Sequence, residues 1–372
     1  MTTPASAPPE IERATLHLYQ IYDTAFGFDL ERARSLLKEP TSRVRPVVTR
    51  GGSIEIRQLP LELRLGDVTV ELAGRPLSGY MYVRVYDLGI LAFRMIIRLP
   101  DSISWDTAAE LLGAAQSYPP SVVESFQRQC DVFTTLLQPA MEQPNPSPGP
   151  TEDYTILLIE RLAPGAFASQ LARDPVILRT ALGERRQLSA SAAQLASSFS
   201  YYEDDLIVLT WGAAVVVEPD EMARDDAALL LEFANVQLLA FRSYDAEVER
   251  DLARVAQQVA RTRRPRWSVL LSSGSFLREI HGLIADITET STRVENALKV
   301  TEDVYWNRVY TAALMVLRVE VWRTGIAESL VVLRETAALL RDEAQEAVAI
   351  SLEVTVIILI AIELVVAVLG LR

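Results

Sequence analysis

Apolar and polar residues alternate along the N-terminal half of the chain in the way that strands require. Residues 14–26 have strand character, and residues 28–37 predict a short helix with Asp29 at its N-cap. Further strands are predicted over residues 54–65, 68–73 and 80–99, with turns rich in glycine, aspartate, arginine and proline between them. Helical spacing resumes over residues 104–116. This order predicts an α+β fold with a mostly antiparallel sheet.

A proline-rich stretch, residues 138–153, interrupts this pattern. It carries five prolines and almost no apolar residues, which is typical of a linker or an exposed loop. Strand patterns continue after it, over residues 153–162 and in a hairpin of residues 206–210 and 213–217. We therefore predict a flexible tail over residues 1–12, followed by one α+β head, residues 13–218, with the stretch as a loop inside it.

The pattern changes to helical after Pro219. Residues 219–350 contain three apolar series at three- and four-residue steps, and the second keeps a heptad spacing from Ile280 to Leu298. The third series shifts by five residues near Gly325, which predicts a bend or break there. We interpret this region as long helices forming a coiled-coil stalk.

Within the closing residues, 351–372, every residue from Val354 to Leu371 is apolar or small except Thr355 and Glu363, which predicts a C-terminal transmembrane helix. About 13 Val, Ile and Leu residues favour insertion by roughly 4–8 kcal/mol, whereas one carboxylate, Glu363, opposes it by about 3 kcal/mol. The predicted anchor includes Val354, Ile358, Ile362, Glu363 and Leu371. Glu363 either pairs with a neighbouring helix in an oligomer or is a tolerated, neutral acid. The alternative for the whole segment is the core helix of a soluble bundle.

Composition restricts the function classes. The net charge of −13 disfavours general binding to nucleic acid. One cysteine and two histidines cannot form a disulfide framework or a Cys/His metal cluster within one chain. The N-terminus has no basic start and no apolar core of a secretory signal, so we expect the bulk of the chain in the cytoplasm.

Candidate chemistry is sparse. The only dense basic patch comprises Arg261, Arg263, Arg264, Arg266 and Trp267; it suits RNA or anionic lipid, but also a helix C-terminus followed by a proline stop. No glycine precedes either lysine, which excludes the usual P-loop. Serines near His281 lack the nucleophile-elbow pattern and fit helix capping better. We predict no catalytic residue, no metal and no cofactor.

The C-terminal pattern resembles a known family. A long helical pair precedes Leu352 and Glu353, and then IILIAIEL over residues 357–364. This close is similar to that of the Required for Meiotic Nuclear Division family, as are the opening strand and helix over residues 16–37 and the hairpin over 204–217. The resemblance implies a membrane-anchored, non-enzymatic oligomer that supports translation, and hence association with ribosomes.

The expected function is thus a non-enzymatic, single-pass membrane scaffold or tether in a bacterial inner membrane. Its helices would self-associate as a homo-oligomer, and its other protein partners are not identified by the sequence. The alternative is a membrane-bound enzyme or nucleotide-binding module of unrecognised type.

Overall fold

The computed structural model describes residues 8–37, 41–43, 54–145, 149–172, 174–262, 269–300 and 304–370, and it divides into two compact units. The first unit consists of Met1–Ser243 and Arg293–Glu320, and the second consists of Tyr244–Thr292 and Val321–Arg372.

Strands belong to the first unit. In chain order they are β1 (Ile11–Asp23), β2 (Ala25–Phe28), β3 (Ser42–Arg43), β4 (Ile54–Ile56), β5 (Leu61–Leu72), β6 (Arg75–Val85), β7 (Ile90–Arg98), β8 (Met141–Pro144), β9 (Thr151–Leu162), β10 (Ser197–Phe199), β11 (Leu206–Leu209), β12 (Ala213–Val217) and β13 (Leu298–Val300).

The three longest helices lie in the C-terminal half of the chain. They are α1 (Leu30–Leu36), α2 (Trp105–Gln116), α3 (Pro120–Leu137), α4 (Ala168–Leu171), α5 (Pro175–Ala181), α6 (Glu221–Thr262), α7 (Val269–Glu295), α8 (Val304–Val316) and α9 (Val319–Gly370).

Within the described residues, nine strands form one sheet in the order β10-β11-β12-β9-β1-β7-β6-β5-β3. Only β12 and β9 pair in parallel; the other neighbours are antiparallel. Strands β2 and β8 form a second, two-stranded sheet, and β13 and β4 a third. The predicted α+β class with a mostly antiparallel sheet followed by helices is confirmed.

Both faces of the central sheet are covered, so that every residue of β1 from position 16 to 22 is buried. Leu16 and Leu18 belong to a core cluster with α2 and α3, where the rings of Phe93 and Phe133 meet edge to face at 6.0 Å. On the opposite face, Tyr86 contacts Phe233 of α6 at 5.4 Å between ring centroids. Burial on both sides explains why β1 reads as a nearly continuous apolar run.

Three details of the predicted strands are wrong. Residues 80–99, predicted as one strand, contain the end of β6 and all of β7, with a turn between Val85 and Ile90. Residues 61–72 form one strand instead of two, because Gly66, at φ +126, takes up a register shift in place of the expected turn. Residues 138–153, expected as a loop, contain a 3-10 turn at Gln138–Ala140, strand β8 and the start of β9. Helix α3 was not predicted.

The second unit is helical. Its buried side chains follow one face of each helix and include Val248, Val255, Ile280, Ile287, Ile326, Leu333 and Ala337. Two predictions about its helices are wrong. Helix α7 ends at Glu295, so that the last heptad position, Leu298, lies in β13.

The predicted break near Gly325 lies elsewhere. The chain leaves its helical path between α8 and α9, at Arg318, which has φ +52. Helix α9 continues through Gly325. A Cβ at that position would lie 3.1 Å from Oδ1 of Asp245, so the glycine allows close packing of α6 and α9 in the second unit.

Candidate functional site

The apolar segment Val348–Ala367 lies within α9. It has 20 residues and a mean hydropathy of 2.5, and none of its most apolar window is buried. At about 1.5 Å per residue it extends roughly 30 Å, the thickness of a bilayer core. The structure therefore contains a C-terminal helix that is long and apolar enough to cross a membrane.

The predicted anchor residues fall on this helix. Val354, Ile358, Ile362 and Glu363 lie on α9, and Ile358 and Ile362 are more than half exposed. Leu371 lies outside the described residues.

Two hydroxyl groups of the apolar segment are satisfied inside the helix. Ser351 donates to the carbonyl of Val348 at 2.8 Å, and Thr355 donates to that of Ser351 at 2.7 Å. The positions three and four residues from Glu363 are all apolar: Leu359, Ile360, Val366 and Ala367. Glu363 therefore has no basic residue one turn away on α9 with which it could form an ion pair.

The predicted basic patch is almost entirely outside the described residues. Arg261 belongs to the last turn of α6, while Arg263, Arg264, Arg266 and Trp267 fall between α6 and α7 in a part of the chain that is not described.

A buried charge cluster lies between the sheet and the first half of α6. Its centre is Arg84 of β6, which contacts Glu62 of β5 at 2.7 Å and Glu232 of α6 at 2.5 Å. Tyr86 donates to the other oxygen of Glu232 at 2.7 Å. Glu62 lies directly opposite Arg84 in the register of β5 and β6, so the sheet itself aligns the first pair. Sequence analysis missed this cluster, because Arg84 and Glu232 are 148 residues apart.

Burial and neighbouring charges both shift the pKa values of this cluster. Burial lowers the pKa of Arg84, but the carboxylates of Glu232 and Glu62 outweigh it, and the pKa lies above its ordinary value. Burial, reinforced by Glu232, raises the pKa of Tyr86. The guanidinium therefore stays charged and the phenol stays protonated.

Arg94 extends the cluster toward β1. It donates to Glu62 at 3.1 Å and stacks over the ring of Tyr82 at 5.3 Å. Tyr19 lies opposite it across β1 and β7. Nε of Arg94, the hydroxyl of Tyr19 and Nδ1 of His17 form no hydrogen bond with any described residue.

Tyr19 and His17 of β1 are both uncharged near neutral pH. Burial raises the pKa of Tyr19 to about 12. Burial and then the positive charges of Arg94, Arg84 and Arg224 lower the pKa of His17 well below 6.5. Since Tyr19 and Glu232 are both about 1% exposed, the centre of this cluster is buried in the first unit, where its hydrogen bonds connect the sheet to α6.

A surface cavity of about 360 Å³ opens at the end of β1, between α3 and the connection from β8 to β9. Its lining comprises Tyr22, Asp23, Thr24, Gln127, Cys130, Asp131, Thr134, Thr135, Asn145, Gly149 and Thr151. Sequence analysis missed it because α3 was not predicted. Within the described ranges, no three His, Cys, Asp or Glu side chains are grouped to hold a metal ion.

Comparison with known proteins corrects the expected family. The chain matches the family described as "Uncharacterized protein MJ0711, N-terminal domain" over residues 13–223, which is more than half of its length. Neither the curated proteins nor the solved structures gave a match. The resemblance to the Required for Meiotic Nuclear Division family was therefore wrong. The chain belongs to the family of the uncharacterised MJ0711 N-terminal domain.

Proposed function

We propose that this protein is a single-pass membrane protein, held by α9, which acts as a non-enzymatic scaffold or tether. The observation that carries the proposal is the apolar segment Val348–Ala367, which is exposed on all sides. In water, such a helix would leave an apolar surface that soluble monomers rarely carry. In a bilayer, the same surface is solvated by lipid, and the backbone groups are already paired within the helix.

The remaining chain lies on one side of the bilayer in this proposal. Arg334 and Arg341 precede the apolar segment, and basic residues on that flank favour its cytoplasmic placement. A bacterial inner membrane is the proposed location. The role in translation and the association with ribosomes lose their support, because they depended on the corrected family resemblance.

Self-association is part of the proposal. Lipid leaves the carboxyl group of Glu363 without a hydrogen-bonding partner, and a second copy of α9 brings an identical group to the same depth. A hydrogen bond between the two carboxyl groups gives each of them a partner.

Alkaline carbonate extraction of membranes tests the anchor. We compare the full chain with the double variant I358D/I362D and with V332D/L339D, which alters two exposed apolar residues of α9 before the segment. Each new carboxylate inside the segment makes the free energy of membrane insertion less favourable by about 3 kcal/mol. I358D/I362D should therefore appear in the soluble fraction, whereas V332D/L339D should remain in the membrane fraction.

Release of the unmodified protein into the soluble fraction would contradict the proposal and favour a soluble helical bundle. Retention of I358D/I362D in the membrane fraction would show that another part of the chain holds it there.

A further inference from the structure

The side of α9 that carries Glu363 continues as an exposed face in the helix before the membrane segment. At about 100° per residue, Glu363 lies roughly 120° around the helix axis from Leu333, which is buried in the second unit. Six exposed residues lie at about 100–160° from Leu333. They are Val331, Ala338, Gln345, Ala349, Leu352 and Val356, and we call them the α9 face. Five of the six are apolar, so this face leaves an apolar strip of the helix accessible to a partner.

Charged residues follow the two edges of the α9 face, with opposite signs. Arg334 and Arg341 follow one edge, at about 80–100° from Leu333. Glu335 and Asp342 follow the other edge, at about 180–200°. Nε of Arg341 is 4.0 Å from Oδ1 of Asp342 in the same chain, and the two side chains are 65% and 69% exposed. Both charges are therefore accessible to a second helix.

Two-fold symmetry decides which edges meet when two copies pack through this face. In a parallel pair, the rotation brings the basic edge of each helix against the acidic edge of the other. In an antiparallel pair, the two basic edges would meet each other, and so would the two acidic edges. Residues of equal number lie at the same height in a parallel pair, so Arg334 would face Glu335 of the second copy, and Arg341 would face its Asp342. The charge pattern therefore favours a parallel pair.

The proposed membrane anchor requires the same direction. Two copies inserted through the apolar segment of α9 run in parallel and place Glu363 at the same depth. The α9 face lies within about 40° of Glu363 around the helix axis, so one continuous surface includes both.

From the apolar strip, the charged edges and this alignment, we infer that the α9 face binds the α9 face of a second copy, in parallel and in register. The contact extends from Val331 into the membrane segment. This inference rests on the proposed function, and it adds the surface outside the bilayer through which the copies associate.

Disulfide crosslinking of the full chain in membranes locates the contact. Ala338→Cys places a thiol within the α9 face, whereas Leu339→Cys places one at nearly the same height but about 100° further around the axis. The native thiol of Cys130 is buried and is present in both variants. Thiols that face each other across a two-fold axis can reach disulfide geometry, so mild oxidation should convert about five times more Ala338→Cys than Leu339→Cys into dimers.

Charge exchange in the Ala338→Cys background tests the direction of packing. R334E/R341E makes both edges acidic and should reduce the crosslinked dimer about tenfold, because like charges then face each other. E335R/D342R makes both edges basic and should have the same effect. The fourfold variant R334E/R341E/E335R/D342R again has edges of opposite sign and keeps the net charge of the unmodified protein. It should restore the crosslinked dimer.

Carbonate extraction accompanies each crosslinking experiment, and every variant should stay in the membrane fraction. The inference fails if Leu339→Cys crosslinks as well as Ala338→Cys in that fraction. It also fails if the fourfold variant crosslinks no better than the two double variants. Release of the unmodified protein into the soluble fraction would contradict the membrane anchor, and this inference with it.

Discussion

At the residue scale, the most consequential feature is the charge cluster around Arg84. Four elements contribute to it, β5, β6, β7 and α6: Arg84 contacts both Glu62 and Glu232, and Glu62 also contacts Arg94. A buried pair of this kind contributes little net stability compared with an apolar replacement, but the loss of one partner leaves an uncompensated charge in the interior.

Glu232→Ala should therefore destabilise the first unit by about 3–5 kcal/mol, measured by urea unfolding. The matched control is Asp67→Ala, which breaks the ion pair of Arg64 and Asp67 on the surface, where Asp67 is 82% exposed. Asp67→Ala should change the free energy of unfolding by less than about 1 kcal/mol. Equal effects of the two variants would mean that Arg84 finds another partner.

His17 should make the stability of the first unit depend on pH. Its folded-state pKa lies well below 6.5, so the unfolded chain binds a proton that the folded chain excludes. Its contribution is fully present above pH 6.5 and is lost as the pH falls below that value.

Between pH 7 and pH 5, the free energy of unfolding should fall by about 1–2 kcal/mol less in His17→Gln than in the unmodified protein. The reason is that one pKa unit corresponds to about 1.4 kcal/mol. Urea unfolding monitored by hydrogen exchange in β1 measures this. His281→Gln, which alters an exposed histidine, should follow the unmodified protein. A His17→Gln variant with the original pH dependence would assign the effect to other groups.

At the element scale, helix α9 combines two environments. Its first part buries Ile326, Leu333 and Ala337, and its last part is the apolar segment, in which Glu353 lies near the start and Glu363 lies among apolar residues. The proposed self-association depends on Glu363.

Crosslinking in membranes tests this role of Glu363. Glu363→Leu should reduce the crosslinked dimer several-fold, because a hydrogen bond between membrane helices is worth about 1–2 kcal/mol. Glu363→Gln keeps hydrogen-bonding capacity and should retain the dimer. Both variants should remain in the membrane fraction. An undiminished dimer in Glu363→Leu would identify Glu363 as a tolerated acid.

Elements with a strong local pattern could be predicted from the sequence. The β11–β12 hairpin and the start of the long helix after Pro219 follow from their apolar periodicity. The bulge at Gly66 could not be predicted, because it depends on pairing with β6, and the helix break at Arg318 could not be predicted, because no glycine or proline marks it in the sequence. The prediction of a break at Gly325 was wrong because this glycine allows α9 to pack closely against Asp245 of α6, and the helix continues through it.

At the scale of the whole molecule, the fold class and the apolar C-terminus were accessible from the sequence, whereas the sites in the first unit were not. The cavity joins the end of β1 to α3 and to the β8–β9 connection, and the charge cluster joins β5 and β6 to α6. Such sites depend on which segments become neighbours in the sheet. Composition and periodicity carry no such information.

Because α9 is one continuous helix, the directions of the side chains in its last part are fixed relative to those in its first part. Leu333 and Glu363 are 30 positions apart, which places them roughly 120° apart around the helix axis. One extra residue inserted after Ala337 would turn the carboxylate by about 100° relative to the packed face, although both parts would remain helical. Seven extra residues would return it to within about 20° of its original direction. The intervening stretch thus sets the direction in which the acid points relative to the packed face of α9.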